Sequence, residues 1–530
     1  MTWSPPAIAW SAARPVGFAL ALLTVQAGSG RCVQTPSATI DTIVVVNHNV
    51  FDAHTGAPEF VARLANALHM TTRPWVIRRT MLVNPHDRYD SAQIAESERG
   101  LRNLYVFSRV RVDTTRLDGR LALRVVTNDG WSTKPQLGYA SAGGDVTWLA
   151  GIVEDNFLGT ATSLAAVYNR TPDRSILDFK YLSPHFFGRR TRLAAEYNRK
   201  SDGSSGSWEL AVPFYETAAR RALTLGETAA SERVLIFRDG VLDTTLQHRT
   251  LRFGVTAAFA PRATTRHYLR LWVAGQWRRE DYVSETSAVL PRSVFGTFGT
   301  GLDVGYVRYL VLERFNSYAR REDVDISQLV HVGVWAAPRA WGYSAAQAGL
   351  GVEASAQLAT SWHGGFALLS GAGDGVFTAA GPDSGRLAGA LAVASQNLQR
   401  QTLILRLEGA RLRRPAPGTE FDLSVRQNGP RVFGIHQFTG TRTAWLALED
   451  RVLVADEVGG LFGLGVAPFV DYGGAWYADE RPRLGGDVGV ALRIGPTRAV
   501  RSDVAEIAIG YRFGAGFTGS RWGVAVRKAS

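Results

Sequence analysis

The segment Leu251-Arg-Phe-Gly-Val-Thr-Ala-Ala-Phe259 decides the fold, because its apolar residues alternate with Arg, Gly, Thr and Ala. The same period of two recurs in Leu269–Trp277, in Leu403–Glu408 and in Ile507–Phe513. A period of two is the spacing of side chains that share one face of a β-strand. These segments therefore predict strands with one apolar face and one face rich in Gly, Arg and Glu.

A soluble β-sandwich would alternate equally well, so it is the first alternative to a membrane barrel. Two observations favour the barrel. The strand signal continues from about residue 133 to the end of the chain, which is long for one sandwich. Aromatic residues lie near the predicted strand ends and suit the girdle of a membrane barrel; they include Tyr168, Tyr181, Tyr197 and Trp277. We predict a mainly β protein whose residues 131–530 form a transmembrane antiparallel β-barrel.

The number of strands is less certain than their presence. Sixteen strands would leave about 25 residues for each strand and its connection, which suits a tilted strand of ~10 residues. The sequence offers five candidates after residue 440 and up to fifteen short ones between 133 and 413. We therefore expect sixteen strands and interpret some breaks between 345 and 413 as bulges; a larger barrel is the alternative.

The N-terminus has the pattern of an export signal. Arg14 precedes the apolar run Pro15–Val25, and small residues follow up to a cleavage site before Gly28. The run is too short to span ~30 Å of hydrocarbon, so residues 1–27 are predicted to be a signal peptide. Cys32 raises the alternative of a lipid anchor, but Arg31 before it is the wrong residue type for lipoprotein processing.

Residues 36–130 mix strand and helix patterns. The β-branched run Ile40–Val46 predicts a strand, and Pro58–His69 and Trp75–Leu82 could each form a short helix. Asp90 is a good N-cap for a longer helix. Two alternating segments follow, and Asp118-Gly119 between them suits a tight hairpin turn. The predicted order is strand, helix, helix, strand, strand, with an extra helix inserted early.

This order and its motifs resemble a POTRA domain, a periplasmic module of outer-membrane assembly and secretion proteins. The resemblance rests on Ser97-Glu-Arg-Gly-Leu-Arg-Asn-Leu-Tyr-Val-Phe107 and Val110-Arg-Val112, which match its "LRxLxxF" and "VxV" motifs. The insertion at about 53–72 departs from the pattern, and an unrelated α+β domain is the alternative.

The barrel region resembles the BamA/TamA family, also called bacterial surface antigens. Val153-Glu-Asp-Asn-Phe-Leu-Gly-Thr160 is similar to its "ENNFLGTG" motif, and Leu182-Ser-Pro-His-Phe-Phe-Gly188 to its "DPYLFG" motif. Gly429-Pro-Arg-Val-Phe-Gly-Ile-His-Gln-Phe-Thr-Gly440 is similar to "GLRGYPxxxFTG", and Phe469–Trp476 to "FxDxGxxW". One departure is the C-terminus, which ends Val526-Arg-Lys-Ala-Ser530 where the family has an aromatic residue.

The resemblance implies that residues 429–440 lie on a long loop that folds back into the barrel lumen. Aligned in this way, Arg431 stands at the motif arginine and Phe433 at its aromatic, while Val432 replaces the usual glycine. The alternation also points Glu449 and Asp471 inward. Since two inward carboxylates repel and a guanidinium fork can bind both, we predict that Arg431 contacts Glu449, Asp471 or both. The alternative is an exposed loop arginine.

No catalytic constellation is recognisable, so we do not expect an enzyme, a cofactor or a metal site. Gly514-Ala-Gly-Phe-Thr-Gly519 matches a dinucleotide fingerprint, but too few residues follow it for a βαβ unit. His48 and His54 are interpreted as solvated loop residues. The net charge of +12 is spread singly along the chain and forms no basic stripe, so nucleic acid is not an expected partner.

The resemblance implies a protein that handles polypeptides at the outer membrane of a diderm bacterium, with its N-terminal domain in the periplasm. It would assemble outer-membrane proteins or move chains across the membrane. The expected partners are outer-membrane lipid, unfolded client polypeptides bound by the POTRA-like domain, and accessory periplasmic proteins. The rival hypothesis is a passive porin-like channel or a structural surface antigen without a client.

Overall fold

The fold is taken from a computed structural model that describes residues 38–50, 59–60, 63, 66, 69–142, 145–284, 289–318, 321–341, 348–396, 398–423, 429–497, 504–517 and 519–528. The predicted signal peptide, Cys32 and His54 lie outside these residues, as does most of the predicted helix Pro58–His69. Within the described part, no helix is both long enough and apolar enough to cross a membrane.

The N-terminal unit is a small α+β domain. It contains β1 (Thr42–His48), helix α1 (Pro74–Thr80), helix α2 (Ser91–Asn103), β2 (Phe107–Leu117) and β3 (Arg120–Asp129). The N-cap prediction is confirmed, because the Asp90 carboxylate accepts hydrogen bonds from the Ala92 and Gln93 amides. Asp118 and Gly119 both have positive φ, as a two-residue hairpin turn requires. In the sheet, β3 lies between β1, which is parallel to it, and β2, which is antiparallel.

The rest of the chain is almost entirely strand. In chain order the strands are β4 Thr133–Ala142, β5 Asp145–Phe157, β6 Thr162–Arg170, β7 Ser175–Ser183, β8 Arg192–Lys200, β9 Gly203–Val212, β10 Arg221–Arg238, β11 Val241–Ala263, β12 His267–Ser284, β13 Val289–Tyr306, β14 Tyr309–Glu313, β15 Arg321–Asp325, β16 Gln328–Ala337, β17 Gly349–Trp362, β18 Gly365–Thr378, β19 Gly381–Ser395, β20 Gln401–Arg413, β21 Phe421–Asp422, β22 Thr439–Gly440, β23 Arg442–Val458, β24 Phe462–Trp476, β25 Gly485–Pro496, β26 Ala505–Gly514 and β27 Trp522–Lys528.

Twenty of these strands form one closed antiparallel barrel in which neighbours follow the chain and β27 adjoins β4. The prediction of sixteen strands was wrong. The breaks between 345 and 413 that the prediction treated as bulges are reversals of the chain, with positive φ at Gly364, Gly381 and Arg400. Each short segment there is a separate strand, and fifteen strands of the wall lie between 133 and 413. We call the end that carries the N-terminal domain the near end and the opposite end the far end.

The outer wall of the barrel is apolar and the inner wall is polar. On β23, Leu448 is exposed on the outside, whereas its neighbours Ala447 and Glu449 are buried inside. The same alternation exposes Val470 on β24 and Ile509 on β26. A barrel with an apolar exterior and a polar interior is the arrangement of outer-membrane proteins, so the alternation seen in the sequence is that of a transmembrane barrel.

Two segments enter the lumen without joining the wall. At the far end, residues 414–441 connect β20 to β23, and the short strands β21 and β22 pair to close this segment into a lumenal loop. At the near end, β14 and β15 pair to form a lumenal hairpin between β13 and β16. Leu312, Phe315 and Ile326 of the hairpin region pack against wall residues that include Phe366 and Ile404. Segments of the chain therefore enter the lumen from both ends.

Candidate functional site: a charged cluster inside the barrel

The lumenal loop places Arg431 inside the barrel, with only 2% of its surface exposed. Its Nε and Nη2 donate to the two oxygens of Asp471 at 2.6 and 3.1 Å. Its Nη1 donates to Glu449 Oε2 at 3.0 Å and to Glu506 Oε1 at 3.0 Å. The guanidinium also lies 3.9 Å from the ring centroid of Phe469. One side chain of the loop is thus bound by carboxylates from β23, β24 and β26.

Further arginines complete the charge balance. Glu449 accepts a hydrogen bond from Arg451 on its own strand and one from Arg493 Nη1 on β25 at 2.8 Å. Glu506 accepts from Arg527 Nε on β27 at 2.9 Å. Because buried carboxylates are tolerated only when they are paired and hydrogen-bonded, these arginines let the wall keep its acidic groups in place around the loop.

Val432 is held by both its backbone and its side chain. Its amide donates to Asp487 Oδ2 at 2.8 Å, and its side chain packs against Phe469 and a row of small residues on the inner wall, which are Ala467, Ala491, Ala508 and Ala525. Val432 does not adopt a positive φ, so a β-branched residue fits where the resembling motif has glycine. The alanines leave the space that this side chain fills.

Phe433 closes the cluster on its far side. It is buried and lies 5.3 Å, centroid to centroid, from Phe438 and 5.8 Å from Phe517. Phe438 is fully buried in the same apolar cluster. Arg431, Val432 and Phe433 therefore have three different surroundings, which are carboxylates, alanines and aromatic rings.

The structure brings together all five residues that the sequence singled out, but Glu449 and Asp471 are not level with each other on their two strands. Glu449 lies opposite Phe469, so Glu449 and Asp471 are diagonal neighbours. The carboxylate directly opposite Asp471 is Asp487. Asp487, Glu506, Arg493 and Arg527 were not predicted as members of the cluster, although the same period of two on β25, β26 and β27 turns their side chains inward.

His436, in the second half of the motif, holds the loop to the wall at the far end. His436 Nε2 hydrogen-bonds Asp173 Oδ2 at 3.0 Å, its Nδ1 hydrogen-bonds Asp422, and its ring stacks on Phe237. Burial lowers the pKa of His436, but the hydrogen bonds to Asp173 and Asp422 outweigh it and raise the pKa to about 9. His436 is therefore protonated at neutral pH and holds the loop through its contacts with Asp173 and Asp422.

The lumenal hairpin meets the cluster from the near end. Arg451 Nη1 donates to the Phe315 carbonyl at 2.9 Å, and Tyr318 Oη donates to the Arg493 carbonyl at 3.1 Å. The Tyr318 ring lies so close to Gly463 that a Cβ there would come within 2.2 Å of the ring. The hairpin and the loop thus bind adjacent residues of one cluster.

The hairpin also binds the N-terminal domain. Arg102 of α2 donates through Nε and Nη2 to the two oxygens of Asp323, both at 2.7 Å. The Arg99 guanidinium lies 4.0 Å from the Tyr309 ring centroid. A continuous series of contacts therefore runs from α2 through the hairpin and Arg451 to Glu449 and the loop.

The two motifs of the first barrel strands fasten the N-terminal domain to the near rim. Asn156 Nδ2 donates to the Met70 carbonyl and to Thr72 Oγ1, each at 3.0 Å. Gly159 has φ +69°, and a Cβ there would lie 2.5 Å from the Thr71 carbonyl oxygen. In the second motif, His185 lies 3.4 Å from Thr80 Oγ1 of α1. Burial, with the charges of Arg79 and Arg190, lowers the pKa of His185 to about 4, so it packs there as a neutral ring.

A Ser–His–Asp arrangement lies at the junction between domain and barrel. His69 is 2.8 Å from Asp129 Oδ2 through Nε2 and 3.2 Å from Ser132 Oγ through Nδ1. Asp129 also accepts the Thr72 amide at 2.7 Å. Ser132 is 1% exposed, so no substrate reaches its hydroxyl. This arrangement fastens the linker and offers no accessible nucleophile.

No protein-family model matches the sequence, and no curated protein does. Among solved structures, BamA from Haemophilus ducreyi lacking POTRA domains 1-3 aligns with 92% of this chain and 84% of its own, at 12% identity and a TM-score of 0.36. CdiB from Escherichia coli aligns over 96% and 92%, at 10% identity and a TM-score of 0.46. The alcaligin outer membrane receptor FauA from Bordetella pertussis aligns over 77% of each chain, at 11% identity and a TM-score of 0.33.

The chain is an outer-membrane β-barrel protein with a folded N-terminal domain, and its own loop and hairpin pack inside the lumen. It is similar to BamA and CdiB, and its barrel motifs resemble those of the BamA/TamA family.

Proposed function

We propose that this protein handles polypeptides at the outer membrane, in the manner of BamA/TamA-type proteins, by inserting barrel proteins or passing chains across the membrane. The observation that supports this best is the contact series from α2 through the hairpin to the lumenal loop. A passive channel has no need of an N-terminal domain that is bonded to the segments closing its lumen. We further propose that the protein is not an enzyme and that the N-terminal domain lies in the periplasm.

The N-terminal domain offers a client a binding edge, because its sheet has an edge strand. β2 pairs with β3 on one side, and no described strand pairs with its other side. An extended polypeptide can add to such an edge through backbone hydrogen bonds. We propose that the domain is of the POTRA type and binds unfolded clients there, with accessory periplasmic proteins as further partners.

Reconstitution tests this function directly. The full chain is placed in liposomes, and a urea-denatured outer-membrane barrel protein is diluted onto them. We expect the client to reach its heat-resistant folded form faster than on empty liposomes, or to become protected from protease inside them. Equal rates and no protection, together with a steady large conductance, would support the passive channel instead.

A photo-crosslinking residue locates the client. Arg111 on the edge strand β2 and Arg124 on the central strand β3 are both exposed arginines on the same face of the sheet. We expect the denatured client to crosslink at position 111 and much less at position 124, since only the edge strand offers free backbone groups. Equal crosslinking at both positions would indicate contact with the sheet face and would contradict strand addition.

A further inference from the structure

Two arginines face each other directly on the outer wall of the barrel. Arg411 on β20 is the paired residue of Arg442 on β23. The alternation of burial along both strands turns the two side chains outward, on the side of the exposed Leu403 and Leu448. Arg413, two residues beyond Arg411, is on the same side and exposed. We call Arg411, Arg413 and Arg442 the rim arginines.

The rim arginines have no counter-charge in the described part of the protein. No described carboxylate lies within ion-pair distance of any of them. Directly opposite residues on paired strands have Cβ atoms ~4.5–5.5 Å apart, and like charges at that position destabilise a sheet. Arg249, an outward arginine on β11, lies opposite Asp281. An uncompensated pair is therefore not the rule on this wall.

Their depth places the rim arginines at a membrane boundary. The outward residues Leu403, Leu405 and Leu407 of β20 form an apolar band, and Arg411 follows it toward the far end. Leu403 and Arg411 are eight positions apart, or ~26 Å along a strand. At a tilt of ~40° this is ~20 Å of height, close to the ~25 Å apolar band of outer-membrane barrels.

The neighbours in the same row are of the kind that contact lipid. Arg411 lies between Arg442 and Leu387, which is 63% exposed, and the paired residue of Arg442 on its other side is Trp476. An aromatic and a leucine beside two cations suit a ligand with acyl chains below and an anionic group above. A free anion would gain nothing from these apolar neighbours.

We propose that the rim arginines bind the phosphate group of a lipid in the far leaflet of the membrane. A phosphate oxygen pair accepts hydrogen bonds from a planar guanidinium fork, and a single phosphate between Arg411 and Arg442 would neutralise the repulsion that the wall leaves open. This site is independent of the lumenal cluster and of client binding, because it lies on the other face of the strands.

The test compares the detergent-purified full chain with the double variant Arg411→Gln/Arg442→Gln and with the matched control Arg249→Gln. Retained lipid is counted by native mass spectrometry after addition of diphosphorylated lipid A, of the same lipid with its phosphates removed, or of inorganic phosphate. We expect the double variant to lose about tenfold or more in lipid A affinity, the effect of losing charge-assisted hydrogen bonds. Arg249→Gln and the wild type should retain it equally.

Thermal unfolding provides the second readout and shows that each variant is folded. Without lipid, the double variant should be at least as stable as the wild type, since a repulsive pair is gone; with lipid A, the wild type should be the more stable. Three results would overturn the proposal: equal lipid A binding by the double variant, equal effects of inorganic phosphate and lipid A, or a double variant that is less stable without lipid.

Discussion

At the scale of single residues, a few buried ionic side chains hold the lumenal loop to the wall. Arg431 is the clearest case, because three carboxylates on three strands converge on it. Removing one partner of such a set leaves the others buried and uncompensated. His436 and Asp173 form a second fastening at the far end. Each fastening makes a prediction of its own.

Replacing Arg431 by alanine should lower the free energy of unfolding of the barrel by about 3–5 kcal/mol, because Asp471 and Glu506 lose a buried partner. Arg431→Lys should recover only part of the loss, since an ammonium cannot bind Asp471 through two parallel hydrogen bonds. Thermal unfolding measured by gel mobility gives the values. Arg414→Ala, at an exposed arginine of the same loop, is the control. A similar small effect of Arg431→Ala and Arg414→Ala would show that the cluster does not hold the loop.

The contacts of His436 with Asp173 and Asp422 should weaken as the pH rises. Its folded pKa of about 9 lies above the ordinary value, so its contribution to stability is complete below a pH of about 6.5 and is lost as the pH rises through about 9. The stability difference between the wild type and His436→Gln should therefore shrink steadily over this interval. A difference that stays constant across the interval would mean that the charge of the ring does not hold the loop.

At the scale of elements, the lumenal hairpin links the N-terminal domain to the cluster. Tyr309–Glu313 and Arg321–Asp325 are short and pair only with each other. Their tip lies against Arg451 and the Arg493 carbonyl, while Asp323 binds Arg102 of α2. A bidentate ion pair therefore joins α2 to the hairpin, whereas the wall strands are held by their own ladders.

Breaking that ion pair should loosen the hairpin and leave the wall intact. In Arg102→Gln we expect backbone amides of 309–325 to exchange hydrogen faster, because Asp323, with a side chain only 6% exposed, loses its two hydrogen bonds. Hydrogen exchange followed by mass spectrometry gives the measurement, and Glu98→Gln, which removes only the intrahelical partner of Arg102, is the control. Equal exchange rates in Arg102→Gln and the control would show that this ion pair does not stabilise the hairpin.

The elements also show how far the sequence could be interpreted. The alternation of apolar and polar residues along 442–454 and 465–476 correctly predicted that Glu449 and Asp471 point inward. That prediction needs only the local period of two. The pairing of Asp471 with Asp487 and of Arg431 with Glu506 depends on register and on contacts across many residues, which a local period cannot supply. β14 and β15 are five residues each, too short to show a clear period of two, so no local signal identified them as a lumenal hairpin.

At the scale of the whole molecule, the number of strands sets the width that must be filled. The diameter of a barrel grows roughly in proportion to its strand count, and twenty strands enclose more space than the sixteen that were predicted. The sequence offered up to fifteen short candidates before residue 413, and the prediction merged some of them as bulges to reach sixteen strands. Within this wide wall, a hairpin enters the lumen at the near end and a loop at the far end.

The conductance of the protein in planar bilayers should show how far the loop and the hairpin close the lumen. The wild type is expected to conduct weakly, because the loop and the hairpin occupy the lumen from opposite ends. Replacing 309–325 by a short Gly–Ser turn should raise the conductance, and so should removing the tip that bears Arg431 and Phe433. A wild type that conducts steadily like a porin would contradict the filled lumen.

The hairpin has a consequence for the cell that makes this protein. An outer membrane excludes bulky antibiotics and detergents only while its widest barrels are closed. Twenty strands make a wide barrel. A lesion in 309–325 should therefore open a leak through the barrel, and we expect it to appear as sensitivity of the bacterium to large drugs and bile salts. On this view, the hairpin keeps the outer membrane impermeable while the protein is at rest.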